Sequence, residues 1–203
     1  GFELVESENA EYLAITTDSD VKVFREDGFV PVYEYAAPPN FQVVLRRTLA
    51  VDEATDSLYA VSGAKRIFKV NLATGAASNF EFSSQGDYIS KLSFVDSSLR
   101  VLSGKVTFGP VQYIGFPYPI PTRDRTETYT LEAAETGEDL WVTTRTTRVG
   151  EGNTDIVAEF PGSLTRDGRY LLDFTQPVKF VSVETGEEHV LLDGIVADVS
   201  ATG

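Results

Sequence analysis

The stretch Leu49-Ala50-Val51-Asp52-Glu53-Ala54-Thr55-Asp56-Ser57-Leu58-Tyr59-Ala60-Val61, continued by Ile67-Phe68-Lys69-Val70-Asn71-Leu72-Ala73-Thr74-Gly75 and Asn79-Phe80-Glu81-Phe82, governs the reading of the whole chain. Its apolar residues fall in runs of at most four or alternate with polar ones, and Asp, Thr, Ser or Gly mark the turns between these stretches. Short apolar or alternating runs between turn-forming residues are the mark of strands, whereas a helix needs apolar positions recurring every three or four residues over a longer window. The same pattern recurs at Tyr12-Leu13-Ala14-Ile15, Val21-Lys22-Val23-Phe24 and Val178-Lys179-Phe180-Val181. The best helical candidate, Leu131 to Leu140, is broken by Thr136-Gly137. The chain is therefore expected to be all-β.

The pattern also repeats at long range. Asp27-Gly28, Thr74-Gly75, Thr136-Gly137 and Thr185-Gly186 each stand between two strand-like stretches, with their glycines 47, 62 and 49 residues apart. Tyr12, Tyr59 and Tyr170 each open or occupy an apolar stretch 16 residues before Gly28, Gly75 and Gly186. In the third unit the corresponding position, Arg100, lies 37 residues before Gly137, so 21 extra residues fall between Lys105 and Arg125. A period of 40–50 residues with several strands per unit is the signature of repeated sheets. The reading is a single β domain, 1–193, of four repeats at 1–38, 39–84, 85–148 and 149–193. The piece 194–203 is expected to serve as a closing or inter-subunit strand.

Residues 49–75 resemble blades of the YVTN/NHL-like β-propellers. The segment Ser163-Leu164-Thr165-Arg166-Asp167-Gly168-Arg169-Tyr170, followed by Val181-Ser182-Val183-Glu184-Thr185-Gly186-Glu187, is similar to TolB-like and WD40-like blades. The resemblance implies four propeller-like blades of antiparallel strands. A β-sandwich or barrel is the alternative fold for the same strand pattern. No unit carries a Gly-His or Trp-Asp pair, which departs from true WD40 repeats, and the resemblance implies a fold and no activity.

Composition removes many chemistries. Of 203 residues, 31 are Asp or Glu and 17 are Lys or Arg, for a formal net charge of −14. Such a chain repels nucleic-acid phosphates and anionic membranes, and no stretch of the sequence reverses the sign. The absence of Cys excludes disulfides and thiolate metal sites, and a single His excludes multi-histidine centres. No apolar run approaches the length that spans a bilayer as a helix. The carboxylate groups Glu3/Glu6/Glu8, Asp18/Asp20, Asp52/Glu53/Asp56 and Glu184/Glu187/Glu188 lie in turns or near strand ends, where Asp caps backbone amides. His189 lies in a strand pattern with no nucleophile elbow, and no phosphate loop or dinucleotide fingerprint is present. No catalytic residue, metal site or cofactor is expected.

What remains is the insertion, whose core runs Gly109-Pro110-Val111-Gln112-Tyr113-Ile114-Gly115-Phe116-Pro117-Tyr118-Pro119-Ile120-Pro121-Thr122. Aromatic residues and Arg dominate interface energetics, and Pro lowers the entropy a loop loses on binding. Phe108, Tyr113, Ile114, Phe116, Tyr118, Arg123 and Arg125 are the expected partner-binding residues. The competing reading folds Tyr113, Ile114 and Phe116 down as a plug over the domain's own core. The functional expectation is a non-enzymatic binding or structural module engaging a protein partner or a second copy of itself, without nucleic acid or membrane insertion. A virion or extracellular surface-assembly protein and a carboxylate-based hydrolase, such as a glycosidase, are the alternatives. An extracellular or virion surface is the setting that the acidity and the lack of Cys suit.

Overall fold

The computed structural model describes residues 3–7, 12–16, 20–25, 27–36, 49–61, 64–153, 160–165, 168–175 and 177–192. These residues form four antiparallel sheets in chain order. The first holds β1 (Glu3–Glu6), β2 (Tyr12–Thr16), β3 (Asp20–Arg25) and β4 (Val30–Ala36). The second holds β5 (Leu49–Asp52), β6 (Ser57–Val61), β7 (Arg66–Asn71) and β8 (Ala77–Glu81). The third holds β9 (Tyr88–Val95), β10 (Ser98–Phe108), β11 (Gln112–Ile114), β12 (Ile120–Ala133) and β13 (Glu138–Gly150). The fourth holds β14 (Gly162–Leu164), β15 (Tyr170–Asp173), β16 (Val178–Ser182) and β17 (Glu188–Leu192). Each sheet is an up-and-down meander, and the third departs only in that the short β11, which follows β10 in the chain, pairs with the outer end of β12 while β10 pairs with the rest of it. The segment 194–203 lies outside the described residues.

The glycine markers occupy one topological position. Gly28, Gly75, Gly137 and Gly186 all sit between the third and fourth strands of a blade, with φ of +77, +70, +69 and +74°. In three blades the turn is built identically. The amides of Gly75, Gly137 and Gly186 donate to the carbonyls of Asn71, Ala133 and Ser182 at 2.8 Å. The hydroxyls of Thr74, Thr136 and Thr185 accept from the amides of Ala76, Glu138 and Glu187 at 3.3 Å. A left-handed glycine closes the turn at no steric cost, and the threonine satisfies an amide that the hairpin leaves over. The tyrosine markers likewise lie on the second strand of their blades, β2, β6 and β15.

Three core clusters join successive sheets. Tyr12, Ala14, Val21 and Val23 of the first sheet pack on Leu49, Val51, Leu58, Ala60 and Val70 of the second. The alternate residues of the second, Ala50, Tyr59, Val61 and Ile67, pack on Ile89, Leu92, Phe94, Leu99 and Val101 of the third. The opposite face of the third sheet, with Tyr88, Leu102, Tyr129, Leu131 and Trp141, packs on Phe160, Leu171, Val181 and Val183. The two middle sheets are thus buried on both faces. This explains why β6 is buried along its whole length and reads Leu-Tyr-Ala-Val without a polar alternation. Four sheets stacked in series are propeller-like blades; a sandwich or barrel would pack two sheets or close one.

Side chains also seam the blades together. The Tyr12 hydroxyl donates to Asp56 and itself accepts from Arg25 at 3.4 Å. Ser93 Oγ donates to the Gly168 carbonyl at 2.8 Å. Within the third sheet, Ser103 on β10 donates to the buried Glu132 carboxylate on β12 at 2.5 Å. Burial raises the Glu132 pKa above the ordinary carboxylate value, and the Ser103 hydrogen bond pulls against that shift.

Two outcomes follow from these contacts. A Cβ at position 75 meets nothing, whereas one at position 186 runs into the Leu140 backbone. Gly75→Ala is expected to cost about 1–2 kcal/mol of left-handed strain, and Gly186→Ala clearly more, in urea titrations of the two variants. For Glu132, the native state holds a proton that the unfolded chain has already shed, so stability falls as pH rises from the ordinary carboxylate range through the raised pKa. Glu132→Gln keeps an acceptor for Ser103. It is expected to be more stable than the parent at neutral pH, with the difference vanishing as the pH drops below that range.

Candidate functional site: the arm of the third blade

The insertion lengthens the third blade instead of forming a separate loop. β10, β12 and β13 run 11, 14 and 13 residues, against three to seven in the strands of the first, second and fourth sheets. Their outer halves form an arm rising from the edge of the blade that carries the turn between its second and third strands. β12 is the arm's central strand, pairing with β10 over 125–133, with β11 over 120–122 and with β13 over 122–133. The Gly109 amide donates to the Asp124 carbonyl at 2.8 Å and carries the ladder across the gap between β10 and β11.

The alternation of β12 gives the arm two different faces. Thr126 meets Thr146 at 3.2 Å and Thr128 meets Thr144 at 3.3 Å on one face, where Asp124 also accepts two bonds from Arg148 at 2.8 and 2.9 Å. On the other face, Arg125, Glu127 and Tyr129 continue the phase of Leu131. Glu127 is 1% exposed. It is held by Arg125 at 2.9 Å, by two bonds from Arg145, and by the Tyr129 hydroxyl at 3.3 Å. Burial is the main cause that raises the Tyr129 pKa, reinforced by neighbouring Tyr88 and Glu127, so this phenol stays protonated and serves as a donor. Arg123 lies 4.0 Å over the Phe108 ring and donates to the Asn153 carbonyl. Phe160 caps the base of this face, edge-on to Tyr129 and Trp141 at centroid distances of 5.0 and 6.2 Å.

The seven expected contact residues fall into two groups. Tyr113 and Ile114 on β11 are exposed, and Phe116 and Tyr118 in the turn beyond it are 97% and 85% exposed. Val111 and Ile120, which the sequence reading did not single out, join them at the tip. Phe108, Arg123 and Arg125 do not reach the tip. They lie lower on the arm, half-buried under one another or bonded to Glu127. The tip aromatics do not plug a core, since none belongs to any of the three clusters. Glu127 and Arg145 were also not singled out as a brace. The available signal was phase, because Glu127 is the one carboxylate in step with Tyr129 and Leu131 on an otherwise inward-facing row.

Several of the carboxylates flagged in the sequence are engaged locally. Asp52 accepts from the Ala54 amide at 3.1 Å and from the Thr55 hydroxyl at 2.6 Å. Glu188 accepts from Lys179 at 2.8 Å, which lowers its pKa, and from the Trp141 indole at 3.4 Å. His189 stacks on Phe180 at 5.0 Å with its Nε2 3.5 Å from Glu187. Glu8 and Asp18 lie outside the described residues. Among the described residues, no group of three His, Asp or Glu side chains is placed to hold a metal ion, and no helix is long and apolar enough to cross a membrane.

Removing the Glu127 carboxylate leaves two guanidinium groups facing each other without a counter-charge. Glu127→Ala is expected to cost about 3 kcal/mol, the lower end for breaking a buried ion pair, because Arg145 is partly in water. The arm is expected to open first, with proteolysis at 109–119 accelerating more than the loss of the blades' near-ultraviolet signal.

No family model matches this chain, and no curated protein does. Among solved structures, it is similar to the β-propeller domain of Cps50 (Swd1) from Myceliophteria thermophila, at 10% identity and a TM-score of 0.46. That match covers 88% of this chain, which spans 64% of the length of that structure.

Proposed function

We infer that the chain is a non-enzymatic binding or structural module whose third blade presents an apolar arm tip to a protein partner. The observation that supports this reading is the exposure of Phe116, Tyr118 and Tyr113 at the end of a braced arm. Monomeric proteins bury or scatter their large apolar residues, and a contiguous exposed group rimmed by polar residues marks a contact surface. From Gly109 to Thr122 the arm carries no charged residue. Burying the tip therefore removes apolar area from water without stripping an ion of its hydration. The brace at Glu127 holds the tip in place before binding, so little ordering entropy opposes the contact.

The blades supply the platform, and their YVTN/NHL-like and TolB-like patterns are consistent with a scaffold that carries such an arm. Assembly on a virion or extracellular surface is a setting that an acidic, cysteine-free chain suits. Phe116→Ser combined with Tyr118→Ser is expected to leave the melting temperature within a degree or two of the parent, since neither ring contributes to a core. The same pair is expected to weaken capture of the partner from an extract of the source by at least about tenfold, as loss of an aromatic anchor does. Unchanged capture by this variant would remove the tip from the contact. Unchanged capture together with turnover of a glycoside would favour the hydrolase reading.

A further inference from the structure

We propose that the partner of the arm is a second copy of this chain, whose fourth-blade rim along β17 receives the tip in a head-to-tail contact. This rests on reading the tip as a contact surface and adds to it the identity of the occupant.

Charge gives the first argument. The strands bring together residues that are scattered in the sequence. In the arm, over 105–127 and 143–151, five cations (Lys105, Arg123, Arg125, Arg145 and Arg148) stand against three carboxylates (Asp124, Glu127 and Glu151). The arm thus has two net positive charges, while the formal charge of the whole chain is −14, which leaves −16 on the remainder. An apolar tip with a cationic base is complementary to an acidic surface bearing an apolar patch, and the body of this same chain is such a surface.

The second argument is the rim. β17 is the outermost strand of the fourth sheet, and among the described residues no strand pairs with its outer edge. Val190 and Leu191 are adjacent, aliphatic and exposed there. From Glu184 to Asp193 the sequence carries four carboxylates and no Lys or Arg. Glu188 is bonded to Lys179, whereas Glu187 lies 3.5 Å from His189 Nε2. Outside the arm, the other adjacent exposed apolar pair among the described residues, Phe29 and Val30, has no such excess, because residues 22–30 balance Lys22 and Arg25 against Glu26 and Asp27. An unprotected edge strand with exposed aliphatics is a liability unless another chain covers it. Tip and rim are different surfaces, so the contact is heterologous and each copy keeps one donor and one acceptor.

Complementation tests this directly. One variant loses the tip (Phe116→Ser with Tyr118→Ser), and the other loses the rim (Val190→Thr with Leu191→Thr, which keeps strand propensity). Sedimentation velocity on the parent is expected to show mass rising with concentration, and raised salt is expected to weaken that rise. Each variant alone is expected to remain monomeric. Their equimolar mixture is expected to form a dimer and stop there, since one tip and one rim survive in the pair. Circular dichroism of both variants confirms that they are folded, and Val190→Ala alone provides a milder rim change if the double variant is not. A parent that is monomeric at every concentration, or association that survives loss of the rim, would overturn the head-to-tail contact. If the parent is monomeric at every concentration and the tip variant fails to bind a different protein that the parent captures, the tip reading stands while the self-contact falls.

Discussion

Burial of both faces of the middle sheets is the constraint on which the rest of this structure depends. A lone four-stranded sheet with Ala50, Tyr59, Val61 and Ile67 on one side and Leu49, Val51, Leu58 and Val70 on the other has no face to offer water. It is stable only between two neighbours that are apolar on the facing sides. The serial arrangement of blades follows, and so does the need for short, regular turns. Each sheet must end in register with the next for the clusters to interdigitate. The repeated Thr-Gly turns supply that regularity with the same two hydrogen bonds each time.

The third blade shows how such a platform carries an addition without losing its core. The insertion enters where two strands already pair, so it extends an existing ladder. Beyond the blades no neighbouring sheet among the described residues packs against the arm, and side chains replace that support. Glu127 between Arg125 and Arg145, Arg123 on Phe108, and the threonine pairs on the reverse face do what the hydrophobic clusters do lower down. A buried ion pair adds little net stability over apolar packing. It is directional, however, and a projecting ladder needs direction because water would otherwise compete for every strand edge.

The repeat was legible because it is local. Gly28, Gly75, Gly137 and Gly186 stand out in the sequence since a left-handed turn tolerates few other residues, and all four occupy the same place in the fold. The all-β character was legible for the same reason, through short runs bounded by turn residues. The tyrosine markers were only half legible. Tyr12 and Tyr59 are buried against the following blade, whereas Tyr170, on the equivalent strand, is 42% exposed. Its spacing matches theirs, but spacing reports the strand and not what covers it.

The sequence by itself determined the strand pattern, the four-fold repetition, the position of the insertion and the chemistries that its composition excludes. These depend on residue type and separation along the chain. Only the tertiary structure decided that the insertion is an arm with an exposed tip, that Arg123 and Arg125 are bound within it, and that Glu127 is its brace. It also gathered Lys105, Arg123, Arg125, Arg145 and Arg148 into a cationic island that no continuous stretch of the chain displays. The physical reason is cross-strand pairing: antiparallel registry sets Glu127 opposite Arg145 and Asp124 opposite Arg148, partners 18 and 24 residues apart, and charge at that separation becomes a local field only once the strands are hydrogen-bonded side by side.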